Sequence, residues 1–328
     1  MSEPKFDLNV TLSLFDGISC GQEALKKAGI STRIFLASEI EKYPKMITRK
    51  NHPLTVQLGD VTKVVADDLP HVNLLMGGSP CQGFSFAGKQ LNFDDPRSAL
   101  FFEFVRLLKE CKPDYFLLEN VMMKQEYQDI ITEHLGVEPV MINSALVSAQ
   151  SRKRLYWTNI LGVSQPENKG IVLKDVLEDG VVDRDKSHCL DANYYKGGNL
   201  KSYFEKHRRQ LVFNKPICGR IVGRRINPET GKRDDYNPDL KAEQRLEPRL
   251  DEKTGTLTTV QKDNVVVDGL TYRKLTPIEC ERLQTLPDNY TEGVSNTQRY
   301  KALGNGWTVD VIVHILQGLK QQVKAVAA

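Results

Sequence analysis

Short, almost wholly apolar runs end again and again in a carboxylate or a small polar cluster, and each is followed by residues at helical spacing. From Asn9 the chain alternates Val10, Leu12 and Leu14 with Thr11 and Ser13, breaks at Asp16-Gly17, and resumes with Gly21, Ala24, Leu25 and Ala28 on one helix face. A strand over Ile34 to Ala37 ends at Ser38-Glu39, and a third unit closes at Gly59-Asp60. Val72 to Met76, apolar as a strand covered on both faces would be, runs into Gly77-Gly78-Ser79-Pro80-Cys81. A helix over 98–110 sets Leu100, Phe101, Phe104, Val105 and Leu108 on one stripe, and Tyr115 to Leu118 repeats the buried strand and stops at Glu119-Asn120. Such alternation predicts an α/β fold built on a doubly wound, mostly parallel, Rossmann-like sheet, whose ligands lie beyond the carboxyl ends of the strands. Asp16, Glu39, Asp60, Cys81 and Glu119 all fall at such ends.

After about Ile160 the regularity fails. Pro166, Gly170, Gly180, Gly197-Gly198, Pro216, Pro228, Pro238 and Pro248 punctuate short polar stretches, which reads as a smaller, loop-rich unit inserted near the C-terminus. Order returns at Arg273, and from Thr308 the residues Val309, Ile312, Val313, Leu316 and Leu319 recur at helical spacing, as expected of a tail helix packed back on the first unit. The expected division is 1–182 with 300–328, an insertion over 183–272, and a hinge over 273–299. Charge sharpens this picture. Residues 201–250 hold 13 Lys or Arg against 7 Asp or Glu, a surplus of 6, while the whole chain carries +3, so the remainder sums to −3.

No apolar run reaches the roughly 18 to 20 residues needed to span a bilayer, and Met1 to Lys5 does not open a secretory leader, so a cytoplasmic protein is expected. Cys20, Cys81, Cys111, Cys189, Cys218 and Cys280 are widely spaced with no C-x-x-C, as in a reduced compartment. His188-Cys189 is the nearest thing to a metal-ligand pair, and no metal site is expected. No internal repeat or low-complexity tract is present.

Several clusters could carry chemistry. The turn Phe15 to Gly21, with Glu39 following 18 residues after Gly21, follows the logic of nucleotide binding: glycines admit a ligand close to the backbone, and a carboxylate accepts from ribose hydroxyls. The second and third glycines of G-x-G-x-x-G are missing, which favours a cofactor without a pyrophosphate; a tight structural turn is the alternative. Asp60 could accept from an adenine amino group or cap a helix. Cys81, in a glycine-flanked loop, could be a nucleophile if held as thiolate, or an inert loop thiol. Ser85, Lys89 and Arg97 could hold a phosphate. A Glu119 carboxyl in a partly dry pocket could donate a proton, or cap a helix starting near Val121. Gln150, Arg152 and Arg154, spaced by two, would share one face of a strand and suit an anionic or carbonyl-bearing ligand, unless they lie on a solvated edge. The basic segment interleaves Tyr203, Phe204, Phe213 and Tyr236, just after Tyr194-Tyr195, as suits phosphate contacts with base stacking; a solvated charged face is the alternative.

Jointly these residues resemble the cytosine-C5 DNA methyltransferase family, in order from about Leu12 to Ile160 and again from Arg273 to about Ile315. Phe15 to Gly21 matches the family's first motif, Gly78-Ser79-Pro80-Cys81-Gln82 its Pro-Cys-Gln nucleophile motif, Glu119-Asn120-Val121 its Glu-Asn-Val, and Gln150-x-Arg152-x-Arg154 its Gln-x-Arg-x-Arg. Arg273 to Pro287 resembles the ninth motif and Gly304-Asn305-Gly306-Trp307-Thr308-Val309 the tenth. Family members often carry Gly-x-Gly-Gly at Gly17-Ile18-Ser19-Cys20 and Gly-Asn-Ser at Gly304-Asn305-Gly306; the first motif and Trp307 look closer to the animal de novo branch, whereas the compact length resembles bacterial and phage enzymes.

The resemblance implies S-adenosyl-L-methionine held by Phe15, Ile18, Cys20, Glu39, Ile40, Asp60, Val61, Leu100, Asn305 and Gly306. It implies Cys81 as nucleophile, Glu119 on N3 and N4 of a flipped cytosine, Arg154 on O2 and Arg152 supporting it. Gln82, Ser85, Lys89 and Arg97 would meet DNA from a loop closing on the flipped base. The insertion would recognise a target sequence in double-stranded DNA, the enzyme would be a monomer, and the sequence leaves open whether it works alone or with a cognate restriction endonuclease. A tRNA cytosine-C5 methyltransferase shares the chemistry, but the long basic insertion argues against it. A catalytically inactive DNA-binding relative would have no need of Cys81, Glu119, Arg152 and Arg154 together, and a nicotinamide oxidoreductase lacks the glycine pattern.

Overall fold

The computed structural model describes residues 6–79, 99–214, 217–228, 230, 232–248, 265–267 and 271–326. Its centre is a seven-stranded sheet of β1 (Phe6–Leu14), β2 (Ile30–Ser38), β3 (Val56–Gln57), β4 (Leu74–Gly77), β5 (Tyr115–Val121), β6 (Val140–Asn143) and β7 (Lys153–Thr158), in the order β3-β2-β1-β4-β5-β7-β6. The five strands from β3 to β5 run parallel; β7 is antiparallel to both β5 and β6. Chain order reverses between β1 and β4, so the crevice of a doubly wound sheet opens beyond the ends of those two strands.

The apolar runs explain this burial. β4 is buried at every position and β5 at all but its two ends, as strands covered on both faces require. On one face Leu12, Leu14, Leu75 and Leu118 pack with Phe101, Phe104 and Leu107 of α3 (Ala99–Cys111), while α1 (Cys20–Lys27) packs against α8 (Val309–Val326). The expected stripes shift slightly. On α3, Leu107 is buried and Leu100 and Leu108 are half-buried; on α8, Val311 and Ile315 are buried and Val313 is half-buried. A helix clasped from more than one side buries a wider arc than a single stripe.

The helices between these elements are α2 (Lys42–Asn51), α4 (Gln125–Leu135), α5 (Leu200–Lys206), α6 (Pro277–Leu283) and α7 (Asn296–Asn305). α4 stops at Gly136, left-handed at φ 70°, where a side chain would be strained. α6 opens with a capping box in which Thr276 Oγ1 accepts from the Glu279 N–H and Glu279 accepts from the Thr276 N–H, with Pro277 at the first helical position.

The chain divides into two compact units, 1–178 with 183–211 and 274–328, and 179–182 with 212–273. The expected boundaries at 183 and 272–299 differ because the segment after 183 is stapled into the larger unit. Tyr194 and Tyr203 are fully buried there, Tyr194 donates to the Gln210 carbonyl at 2.5 Å, and the Leu275 N–H donates to Tyr194. These two tyrosines are core residues, which corrects their reading as stacking aromatics. Phe204 and Tyr236 are exposed.

In the smaller unit, β9 (Ile217–Arg224) pairs antiparallel with β10 (Glu243–Pro248) and β11 (Val265–Val267), beside a two-stranded sheet of β8 (Leu211–Phe213) and β12 (Tyr272–Lys274). Asp235 draws in Arg224 and Arg233, and Arg225 donates to the carbonyls of Asp235 and Leu240. Among the described residues no helix is long and apolar enough to cross a membrane.

A Cβ on Gly304 would lie 2.3 Å from the Asp191 backbone carbon, whereas one on Gly21 would meet the flexible Met76 thioether at the same distance. Gly304→Ala should therefore lower unfolding free energy by roughly 1–3 kcal/mol or more. Gly21→Ala, relieved by side-chain movement and by better helix propensity, should cost clearly less in the same denaturant titration.

Candidate active site

The turn after β1 departs from ordinary backbone at three alternate positions. Phe15, Gly17 and Ser19 all take positive φ, 56°, 59° and 58°, a region costly for an aromatic residue. Asp16 holds the turn: its carboxylate accepts from Ser13 Oγ at 2.6 Å and from Ser19 Oγ. Burial pushes the Asp16 carboxyl up to about 6, with the two hydroxyls pulling it partly back. Glu39, at the end of β2, closes the turn from the other side: its Oε2 accepts from the Gly17 N–H at 2.8 Å and its Oε1 from the Glu41 N–H at 2.7 Å.

Asp60 satisfies the helix-cap alternative while still facing the crevice. Its Oδ1 accepts from the Thr62 N–H and Oγ1 at 3.0 and 2.9 Å, and these bonds hold the carboxyl below its usual value. Burial pushes the Cys20 thiol up to about 12, leaving a neutral apolar wall.

Glu119 lies within β5 rather than at its end, because pairing with β7 carries the strand on to Val121. Val121 is opposite Arg154, so the first residues of β7 arrive beside the last residues of β5. Arg154 Nε donates to Glu119 Oε1 at 2.9 Å, with the two side chains only 14% and 11% exposed, and Trp307 Nε1 donates to Glu119 Oε2 at 3.1 Å. The helix-cap alternative for Glu119 fails, since α4 begins at Gln125 with no side-chain cap.

The expectation that Gln150, Arg152 and Arg154 share a strand face is corrected, because β7 begins at Lys153 and only Arg154 belongs to it. Nor is this an edge, as β7 lies between β5 and β6. Arg152 is buried and donates to the carbonyls of Leu190, Gly304 and Gly306 at 3.0, 3.2 and 3.0 Å. Gln150 donates to the Leu283 carbonyl and accepts from the Leu190 N–H. Gln284 completes the brace, donating to the carbonyls of Leu303 and Gly306 and accepting from Thr308 Oγ1. Arg152 thus braces the segment carrying Asn305 and Trp307, and its guanidinium is occupied by backbone.

These elements enclose a cavity of about 470 Å³. Phe15, Ile18, Cys20, Glu39, Ile40, Asp60, Val61, Leu100, Asn305 and Gly306 line it, together with Glu119, Arg152 and Arg154. Cys81, Gln82, Ser85, Lys89 and Arg97 lie outside the described residues. The chain leading to them, Gly78-Ser79, forms part of the wall, and a Cβ on Gly78 would lie 2.9 Å from Trp307 Nε1 and 3.1 Å from Glu119 Oε2. The backbone passes so close to both groups that only glycine fits. Sequence reasoning left Trp307, Gln298 and Lys301 out of the site, although all three line the cavity. The signal for Trp307 was a large aromatic directly after Gly304-Asn305-Gly306. His188 packs on Arg184 and Tyr203, and Cys189 Sγ accepts from Arg152 at 3.4 Å. Among the described residues no cluster of His, Cys, Asp or Glu could hold a metal ion.

The C-5 cytosine-specific DNA methylase family model matches residues 10–321. The Type II methyltransferase M.NlaX of Neisseria lactamica is 27% identical over 96% of this chain and 97% of its own length. The Type II methyltransferase M1.ScrFI of Lactococcus lactis subsp. cremoris is 30% identical over 92% of this chain and 75% of its own length. Among solved structures, the Entamoeba histolytica methyltransferase EhMeth superposes with a TM-score of 0.65 at 17% identity, covering 96% of this chain and 99% of that one, a likeness of fold. Crevice, motif order and family match agree: the chain belongs to the C-5 cytosine-specific DNA methylase family.

Proposed function

We propose that this protein transfers a methyl group from S-adenosyl-L-methionine to C5 of a flipped cytosine in a specific double-stranded DNA sequence, through a transient Cys81–C6 bond. The observation that carries the reading is one cavity lined both by Glu39 and Asp60 and by the Glu119–Arg154 pair, with Gly78-Ser79 leading directly to Pro80-Cys81-Gln82.

The donor set fits the cofactor. Phe15, Ile18, Val61 and Leu100 offer apolar walls for a purine, while Glu39 and Asp60 keep acceptor capacity after their backbone bonds, for ribose hydroxyls and an amino group. When bound, S-adenosyl-L-methionine supplies an electrophilic methyl group. The protein must then make C5 of cytosine nucleophilic, which the aromatic ring resists. Thiolate addition from Cys81 forms a C–S bond at C6 and shifts an electron pair toward N3 and C5. Glu119, carrying a proton in this step, donates it or a hydrogen bond to N3 and accepts from the N4 amino group, which neutralises that charge; such general acid help is worth about 10² to 10⁴ in rate. C5 takes the methyl group, the pair of the broken C–S bond staying on the cofactor's sulfur; a base then takes the C5 proton and the returning electron pair expels the thiolate. Arg154 holds Glu119 and reaches O2, and Arg152 acts through the segment it braces.

A base inside a duplex presents none of these atoms, so it must leave the stack at a cost of a few kcal/mol, offset by the pocket contacts. The smaller unit, with exposed Tyr236 among its cations, supplies backbone and base contacts to the target. The segment 82–97, expected to close over the flipped base, lies outside the described residues. The same reading makes the enzyme a cytoplasmic monomer that acts either alone or beside a cognate restriction endonuclease.

Base-resolution mapping of DNA after expression in a methylation-free host should find 5-methylcytosine in one short motif, and none with Cys81→Ser. N4-methylcytosine, N6-methyladenine, or modification of tRNA in place of duplex DNA would overturn the assignment. Glu39→Ala should weaken S-adenosyl-L-methionine binding by about 10- to 100-fold in calorimetry, because the carboxylate also organises the Gly17 turn.

A further inference from the structure

We propose that Trp307 is a positioning residue whose indole N–H, together with Arg154, fixes the orientation of the Glu119 carboxylate. This deepens the cytosine-C5 reading and rests on it. A terminal carboxyl is a broad two-fold rotor, and a single donor leaves it free to turn. Here the two oxygens have different donors from different parts of the chain, Arg154 on Oε1 at 2.9 Å and Trp307 on Oε2 at 3.1 Å. Both position and rotation are thereby set before any base arrives.

The indole is itself held. Gly306, just before it, gives its carbonyl to Arg152 and Gln284, and Thr308, just after it, bonds Ser144 and Gln284. Its ring lies over two bare backbone positions: a Cβ on Gly78 would come within 2.9 Å of Nε1, and one on Gly21 within 3.5 Å of Cζ3. The bare backbone at Gly78 leaves room for the indole N–H to reach the carboxylate, whereas the nearest neighbour of Gly21 is the Met76 thioether.

The chain has two tryptophans, and Trp157, fully buried, donates to Thr132 Oγ1 at 3.0 Å, which provides an internal reference. In the cofactor-free protein, Glu119→Gln should move the Trp307 indole N–H resonance and leave that of Trp157 in place. Trp307→Phe, keeping a ring but deleting the donor, should lower kcat by about 10- to 100-fold while the S-adenosyl-L-methionine dissociation constant stays within about twofold. In a Glu119→Gln background the same substitution should cost less than about threefold further, because the two act as a unit. Wild-type turnover by Trp307→Phe, losses that multiply in the double variant, or an unmoved indole resonance would each overturn the proposal. A wild-type protein that leaves cytosine unmodified would instead overturn the reading of the reaction, whatever the indole signal does.

Discussion

One reversed strand decides where the chemistry can assemble. Every strand from β3 to β5 runs parallel, and such a sheet delivers only strand ends to its crevice. β7 runs the other way, so its beginning sits beside the end of β5 and Arg154 faces Val121 across the ladder. A parallel β7 over the same paired span would set the same arginine opposite Leu117, about 13 Å back along the ladder. The resulting ion pair is largely shielded from water, where desolvation offsets much of the Coulomb attraction. Its value lies in geometry: a carboxylate held in one place, next to the backbone that leads to Cys81.

The surrounding structure bears the costs that this arrangement imposes. Left-handed Phe15 and Ser19 are unfavourable backbone, and they persist because Asp16 and Glu39 staple the turn on both sides. Gly304 is pressed against the Asp191 backbone, and Arg152 and Gln284 saturate the carbonyls around it. Buried polar side chains satisfied mostly by backbone partners in this way make a rigid frame, and the cavity wall inherits that rigidity.

Much of this was legible in the sequence, for a physical reason. Buried parallel strands must be apolar, so polar breaks in them stand out: Asp16, Glu39 and Asp60 could be read just past strand ends, and Glu119 as a sudden carboxylate, although β5 runs on past it to Val121. The partners of those groups could not. That Arg152 turns to backbone while Arg154 turns to Glu119 depends on β7 starting at Lys153, one residue beyond what period-two spacing can resolve. Trp307 reaches Glu119 across 188 residues, a contact that exists only after the tail returns to the sheet. Tyr194 and Tyr203 misled for the complementary reason: aromatic residues beside cations look alike whether they wait for a base or fill a core, and only burial separates the two.

The proposed transfer requires sulfur to make a passing bond to a pyrimidine ring carbon. Replacing the C5 hydrogen of the target cytosine by fluorine removes the proton whose loss releases the enzyme. An oligonucleotide duplex carrying 5-fluorocytosine at the mapped site, incubated with active protein and S-adenosyl-L-methionine, should accumulate a denaturant-resistant protein–DNA adduct that Cys81→Ser cannot form. Normal turnover on that duplex by an active preparation, with no attached species at any time, would contradict it.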